Sequence, residues 1–294
     1  MSFKKLLCPI DFSPGSQHAL RVAARMTREL DAELVLVHAW NVPSRPFAER
    51  NPIPDEMVQK LVADQQGRLF AAVGDAAELG ARCTTSRLVH GVPWDQITQA
   101  VRDDPAVDLI VMGTHGRTGL ARVFLGSVTE QVIRHSPCSV LVTRGSAGFV
   151  AFRNMLCLID FSEDSSEVLG RAAELATIAG AGITLLHVIE TAGTFSGLRL
   201  PETHLAEIER EATLELERYA TALAKKVTVP VRSEIRFGSP AAQALTVLDA
   251  DSTVDLVITG SQGRTGIKRV LVGSVAEKVL RHAPCPVLVV RARK

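Results

Sequence analysis

The residues of this sequence best suited to chemistry are glycines. Gly113-Thr114-His115-Gly116-Arg117-Thr118-Gly119 follows an apolar run, and Gly126-Ser127-Val128-Thr129 comes a few residues later. The spacing is G-x2-G-x9-G-S, and it recurs as Gly260, Gly263 and Gly273-Ser274-Val275-Ala276. Glycine lets backbone amides approach a ligand closely and adopt positive φ. A Gly-Ser pair that opens a helix leaves unpaired N–H groups beside the positive end of the helix dipole. Together these make an anion site of the kind that holds phosphates. The hydroxyls of Ser127 and Thr129 add donors at the same place. Glycines alone could equally form a structural turn, but recurrence of the whole spacing after two separate apolar runs favours a ligand.

The pattern is not one of the common phosphate loops. Neither G-x4-G-K-[ST] nor G-x-G-x-x-G occurs at these positions. Phosphoryl transfer would further need a carboxylate for a metal and a residue positioning the nucleophile, and neither stands out. The expected chemistry is therefore binding before catalysis. Asp11 and Asp160, each following the first apolar run of its half, suit either helix N-terminal electrostatics or a ligand contact. Arg117, Arg122, Arg264, Lys268 and Arg269 in the glycine loops suit solvated charge as well as phosphate. His38 and His187 lie inside apolar runs and read as satisfied core histidines. His135 and Cys138, with His282 and Cys285, form an H-x2-C pair in each half. Two ligands of this kind could serve a metal, yet a histidine favouring a helix C-terminus explains the pair more simply.

The elements that position these residues follow from an internal repeat. Residues 6–13, LLCPIDFS, match residues 155–162, MLCLIDFS, and 19 of 30 positions are identical between 113–142 and 260–289. A period near 148 residues is too long for a solenoid. It marks a duplicated domain, 1–145 and 151–294, joined near Gly145-Ser146-Ala147-Gly148. In the first half, strands are expected at 5–10, 33–39, 84–89, 108–112 and 139–142. Helices are expected from Ser13-Pro14, through residue 79, from Val92-Pro93, and over 127–135. The second half repeats this, with strands near 154–159, 183–189, 231–237, 255–259 and 286–290. Ser13 and Pro14 are a cap and a first-turn proline. Residues 41–58 and 191–201 read as loops beside the cleft. Near-continuous apolar strands alternating with helices imply a parallel sheet covered on both faces. Right-handed crossovers make it doubly wound, with ligands beyond the carboxyl ends of the strands.

Composition narrows the classes. The net charge of +1 gives no basic surplus for nucleic acid or an anionic membrane. Aromatic residues, at 4%, are too few for base-stacking platforms. No run approaches the roughly 18 apolar residues of a membrane span, and the apolar run after Lys5 is short for a signal peptide. Five cysteines, an odd number without a CxxC pair, fit a reducing compartment. A soluble, cytoplasmic protein is expected.

The glycine spacing, the start Pro9-Ile10-Asp11-Phe12-Ser13, the strand-two segment Leu36-Val37-His38 and the ending R-H-x-P-C-x-V-L-V together resemble the universal stress protein family, in its tandem two-domain form. The resemblance covers both halves nearly end to end. It implies two Rossmann-like α/β domains, each a five-stranded parallel sheet of order 3-2-1-4-5 with helices on both faces. It implies ATP across the strand tips, with an accompanying Mg²⁺ or Mn²⁺ left open. Adenine would lie near Ile10, Asp11 and Ala39, and the ribose near Met112 and Gly113, with Pro9 a further binding residue. The phosphates would meet Gly116, Gly126, Ser127, Val128 and Thr129. The matching second-half positions are Ile159, Asp160, Val188, Thr259, Gly260, Gly263, Gly273, Ser274, Val275 and Ala276. Leu158, Thr259 and Ala276 replace Pro9, Met112 and Thr129, and loss of the Thr129 hydroxyl predicts weaker binding there. The last strand mediates dimer contacts in the family, so the two halves are expected to pair as an intramolecular pseudo-dimer, with a further homodimer left open. The implied function is an ATP-binding stress-response protein in which nucleotide is a ligand or switch and hydrolysis is at most slow. Two alternatives stand beside it: an ATPase or phosphotransferase, and an interaction module indifferent to nucleotide.

Overall fold

The computed structural model describes residues 3–41, 54–114, 125–144, 152–162, 164–190, 202–261 and 272–292. The first half runs β1 (Lys5–Pro9), α1 (Pro14–Leu30), β2 (Glu33–Trp40), α2 (Asp55–Glu78), β3 (Arg82–His90), α3 (Pro93–Asp103), β4 (Leu109–Gly113), α4 (Ser127–His135) and β5 (Ser139–Thr143). The second runs β6 (Asn154–Leu158), α5 (Asp164–Ala179), β7 (Gly182–Ile189), α6 (Glu202–Ala224), β8 (Val231–Phe237), α7 (Pro240–Ala250), β9 (Leu256–Gly260), α8 (Ser274–His282) and β10 (Val287–Val290). The strand order is β3-β2-β1-β4-β5 in the first half and β8-β7-β6-β9-β10 in the second. This is the doubly wound α/β architecture expected from the sequence.

Local chemistry accounts for the element ends. Ser13 caps α1 by accepting the Ser16 N–H at 3.2 Å, and Pro14 fills the first turn. Asp31 ends α1 in the left-handed region, φ +50°. Strand β1 begins where the Asp108 carboxylate accepts the Lys4 N–H at 2.7 Å; Asp255 does the same for the Arg153 N–H, also at 2.7 Å, ahead of β6. One expectation is corrected. Residues 55–58 are not loop but the first turn of α2, opened by Pro54 and the acidic pair Asp55 and Glu56, which suit a helix N-terminus. Residues 42–53 of that predicted loop, the 191–201 loop and the Gly145–Gly148 join lie outside the described residues.

The chain divides into two compact units. Among the described residues, one contains 3–138; the other contains 139–144 together with everything from residue 152 onward. In the first unit β2, β1 and β4 pair in parallel, Leu7 lying opposite Val35 on one side and Ile110 on the other. Consecutive residues of β1 and β4 are buried, so both faces of these strands are covered. Helices α1 and α2 pack together, as do α3 and α4. Leu6, Leu34, Leu36 and Leu109 are at the centre of the core.

The second unit pairs β6, β7, β8, β9 and β10 in parallel and adds β5, which the sequence places with the first half. The β5–β10 pair is antiparallel, with Val142 opposite Val287 and Val140 opposite Val289. Both ends of this ladder are tied. The Arg144 Nη2 donates to the Leu280 carbonyl in the last turn of α8, where a cation suits the helix dipole. The Arg291 N–H donates to Ser139 Oγ at 3.2 Å. The last strands of the two halves therefore pair with one another, as expected for a pseudo-dimer within one chain.

Candidate functional site

A cleft of about 550 Å³ opens at the carboxyl ends of the first-half strands. Pro9, Ile10 and Asp11 enter from the end of β1, Ala39 from β2, Met112 and Gly113 from β4, and Gly126 to Thr129 from the start of α4. Ten first-half positions predicted from the sequence thus meet around one cavity, while Gly116 lies outside the described residues.

The phosphate end of the prediction is built from backbone. Gly126 precedes α4 with no side-chain cap, and its own N–H donates to the Thr114 carbonyl at 2.8 Å. Glu130 N–H donates back to Gly126 O at 2.9 Å, closing the first helical turn. The N–H groups of Ser127, Val128 and Thr129 then have no intrahelical acceptor. Gly126 cannot be larger: a Cβ there would sit 2.7 Å from Thr114 O. Gly113 is equally constrained, since a Cβ would sit 2.8 Å from Gly15 O. The structure revises the part of Thr129. Its hydroxyl donates to the Gly113 carbonyl at 2.9 Å, so it ties α4 to the tip of β4, and the backbone amide is what it can offer a ligand. Ser127, by contrast, is exposed.

The other wall begins at Asp11. Its Oδ1 accepts the Ser13 N–H at 3.0 Å and the Ser13 hydroxyl at 2.6 Å. His38 is buried, with Nδ1 2.5 Å from Ile10 O and Nε2 2.9 Å from Gln65 Oε1. The first contact places a proton on Nδ1, because a carbonyl only accepts. His38 is thus a held core residue whose side chain also borders the cleft. Trp40, Leu61, Gln65, Pro93 and Ile97 line the cavity as well, and the sequence reading did not single them out. A signal was available for Leu61 and Gln65, which share a helix face at i, i+4, and for Pro93, which begins α3 directly after the tip of β3.

The second half places its predicted residues at the same ends of matching elements. Ile159 and Asp160 follow β6, Val188 lies in β7, Thr259 and Gly260 close β9, and Gly273 to Ala276 open α8. Gly263 lies outside the described residues. Gly273 N–H donates to Ser261 O at 2.9 Å, repeating the first-half arrangement. Ala276 has no hydroxyl to tie α8 to β9, and the Thr259 Oγ1 instead lies 3.4 Å from Gly260 O. Phe161 stacks on His187 at 4.1 Å, with Tyr219 5.7 Å from the same ring. Burial first, then the Glu215 and Asp160 carboxylates, push the Tyr219 hydroxyl above its ordinary range.

The H-x2-C pairs belong to the scaffold. His135 and His282 stand in the last turns of α4 and α8, and Cys138 and Cys285 are buried. Burial pushes the Cys285 thiol up to about 12, away from the thiolate that metals and oxidants need.

The profile of the universal stress protein family matches residues 2–144 and again residues 151–291. The chain belongs to this family. It is 34% identical over 146 residues to a universal stress protein of Methanocaldococcus jannaschii, covering 48% of this chain and 82% of that one. A universal stress protein of Mycobacterium tuberculosis aligns over 302 residues at 27% identity, 95% of this chain and 98% of that one. The crystal structure of a universal stress protein from Archaeoglobus fulgidus superposes along the whole of both chains with a TM-score of 0.73 at 20% identity. That likeness extends the tandem universal stress protein fold over the full chain.

Proposed function

We propose that this universal stress protein binds ATP in the first-half cleft, as a ligand that stabilises or switches the protein and is turned over slowly at most. The observation that carries the reading is the mixed lining of the cleft. Ile10, Val37, Ile97 and Met112 give it apolar surface, and the uncapped start of α4 gives it a cluster of N–H donors. Its volume of about 550 Å³ lies within the ~300–1,000 Å³ of small-molecule sites. An apolar slot suits a purine, and helix N–H groups suit phosphates.

The donor set also speaks to the metal. Among the described residues no group of three acidic, histidine or cysteine side chains gathers to hold an ion. A Mg²⁺ or Mn²⁺ accompanying ATP would be held mainly by phosphate oxygens and water, a habit of Mg²⁺ in particular. The second half is proposed as a weaker site of the same kind, because its α8 start repeats the open amides without the hydroxyl tie. A cytoplasmic location belongs to the same proposal; among the described residues, no helix is long and apolar enough to cross a membrane.

Calorimetric titration of ATP with magnesium into nucleotide-free protein tests the reading, with Ser127→Pro and Ser274→Pro as variants. Proline is tolerated at a first helical position, and Gly126 is already extended, φ −60° and ψ 143°, as a residue before proline prefers. Each change removes one N–H and one hydroxyl from one site. ATP binding to the wild type should be weakened by Ser127→Pro on the order of tenfold, the equivalent of about 1.4 kcal/mol, while adenosine binding changes little. Absence of heat with folded, nucleotide-free wild type would sink the reading.

A further inference from the structure

Among the described residues three non-glycine residues have positive φ: Phe12 at +64°, Asp31 at +50° and Phe161 at +60°. Asp31 is explained as the left-handed end of α1, a place that short polar residues accept. A phenylalanine is poorly suited to that region, and its bulk makes the conformation a true outlier. It nevertheless occurs twice, at the same place in the Asp-Phe-Ser that follows the first strand of each half. Strain of this kind persists only where the surroundings over-determine it.

The surroundings of Phe12 do so. Its ring centroid lies 4.5 Å from that of His38, and the Arg68 guanidinium lies 4.1 Å from it. His38 is itself fixed by its bond to Ile10 O, and Gln65 lies against its Nε2. Gln65 and Arg68 are one turn apart on α2, so this helix meets His38 through one and Phe12 through the other. The left-handed turn brings Ser13 back toward Asp11, and both the N–H and the hydroxyl of Ser13 reach Asp11 Oδ1. The carboxylate is thereby fixed on the cleft wall.

The second half repeats the turn with different supports. Asp160 Oδ1 accepts the Ser162 N–H at 3.0 Å, the Ser162 hydroxyl at 2.6 Å and the Ser165 hydroxyl at 3.0 Å. Phe161 lies on His187, and Tyr219 of α6 is the helix-borne partner where the first half has Arg68. The clamp has changed between the copies, while the backbone turn and the bonds to the carboxylate have stayed.

We infer that Phe12 is a positioning residue: its left-handed backbone, held by His38 and Arg68, sets the Asp11 carboxylate for the ligand of the cleft. The inference rests on the nucleotide reading for the identity of that ligand and on the turn alone for the geometry. Helix α2 supplies both the clamp and, through Leu61 and Gln65, part of the cleft wall. Any displacement of α2 would therefore also release Asp11.

The test uses the full chain and two variants, Phe12→Gly and Arg68→Gln, with three readouts. The first is the melting temperature without nucleotide. The second is the Ser13 amide proton resonance without nucleotide. The third is ATP affinity from Trp40 fluorescence in a Trp94→Phe background, these being the two tryptophans of the chain. In Phe12→Gly the relief of strain offsets the lost ring contacts, so the melting temperature should move by no more than about 3 °C. The Ser13 amide should shift upfield, and ATP affinity should fall on the order of tenfold as the carboxylate loses its preorganisation. Arg68→Gln should move both in the same direction by less. An unmoved Ser13 amide in Phe12→Gly, or wild-type affinity despite a large loss of melting temperature, would show Phe12 to be packing alone and overturn the inference. If the wild type binds no ATP, the nucleotide reading fails by itself, and the Ser13 amide still decides the positioning role.

Discussion

At the scale of single residues, the two halves differ by a hydroxyl whose use is structural. Thr129 spends its Oγ1 on the Gly113 carbonyl, joining the strand tip to the helix start that frames the open amides. Thr129→Val keeps the shape and removes the donor. It should cost about 1 kcal/mol, the net worth of one such bond, and lower the melting temperature by roughly 2–4 °C. A calorimetric scan of wild type and variant checks this. If the variant instead melts with the wild type while ATP binding weakens, the hydroxyl serves a ligand and the assignment fails. Reading Thr129 as a phosphate donor was natural from the sequence, where a Thr two residues after Gly-Ser looks like one more hydroxyl at an anion site. Which way a hydroxyl turns depends on an acceptor 16 residues earlier in the chain, and no local pattern records that.

At the scale of elements, glycines divide into two kinds that spacing alone does not separate. Gly113 and Gly126 stand where a Cβ would strike backbone, whereas Gly67 and Gly74, on exposed turns of α2, have nothing within 4 Å of that position. Gly67→Ala and Gly74→Ala should each raise stability by roughly 0.5–1 kcal/mol, the cost of glycine inside a helix. Gly126→Ala should lower it and disturb the cleft. Urea unfolding of the three variants measures both signs, and a destabilised Gly67→Ala would mean that α2 is not an ordinary helix there. The strands were legible because they are runs such as Leu109–Met112, buried on both faces, whose ends are marked by Asp108 and Gly113. Helix α2 was harder to place. Most of its residues are exposed, so its sequence carries little of the apolar rhythm that marks a helix, and its first turn was hidden by the prolines before Asp55. For the same reason Leu61 and Gln65 went unnoticed as cleft walls. The predicted first-half site residues came from strand tips and the start of α4, where backbone geometry and residue type are closely linked; the missing wall came from a helix whose contact with the cleft is made by side chains.

At the scale of the whole molecule, the repeat in the sequence and the grouping in space do not share a boundary. The sequence divides near Gly145, yet β5 packs with the second-half strands, tied to β10 by its ladder and by Arg144 on Leu280. A protease site built in place of Gly145–Gly148 should therefore give two fragments that stay together. After complete cleavage they should co-elute in gel filtration at the position of the intact chain and separate only in denaturant. Fragments eluting apart under native conditions would show that the β5–β10 ladder does not hold them.

The displaced strand also sets a schedule for synthesis. Thr143 at the end of β5 and Val290 at the end of β10 are 147 residues apart, 290 minus 143. At about 5–20 residues per second, the ribosome needs roughly 7–30 s to deliver the partner that β5 requires. Through that interval the nascent chain carries Ser139–Thr143, fully buried in the finished protein, with its β10 edge unmatched. Such an edge can capture another chain. The burden falls on whatever shelters the emerging polypeptide, and it ends only when β10 has been made.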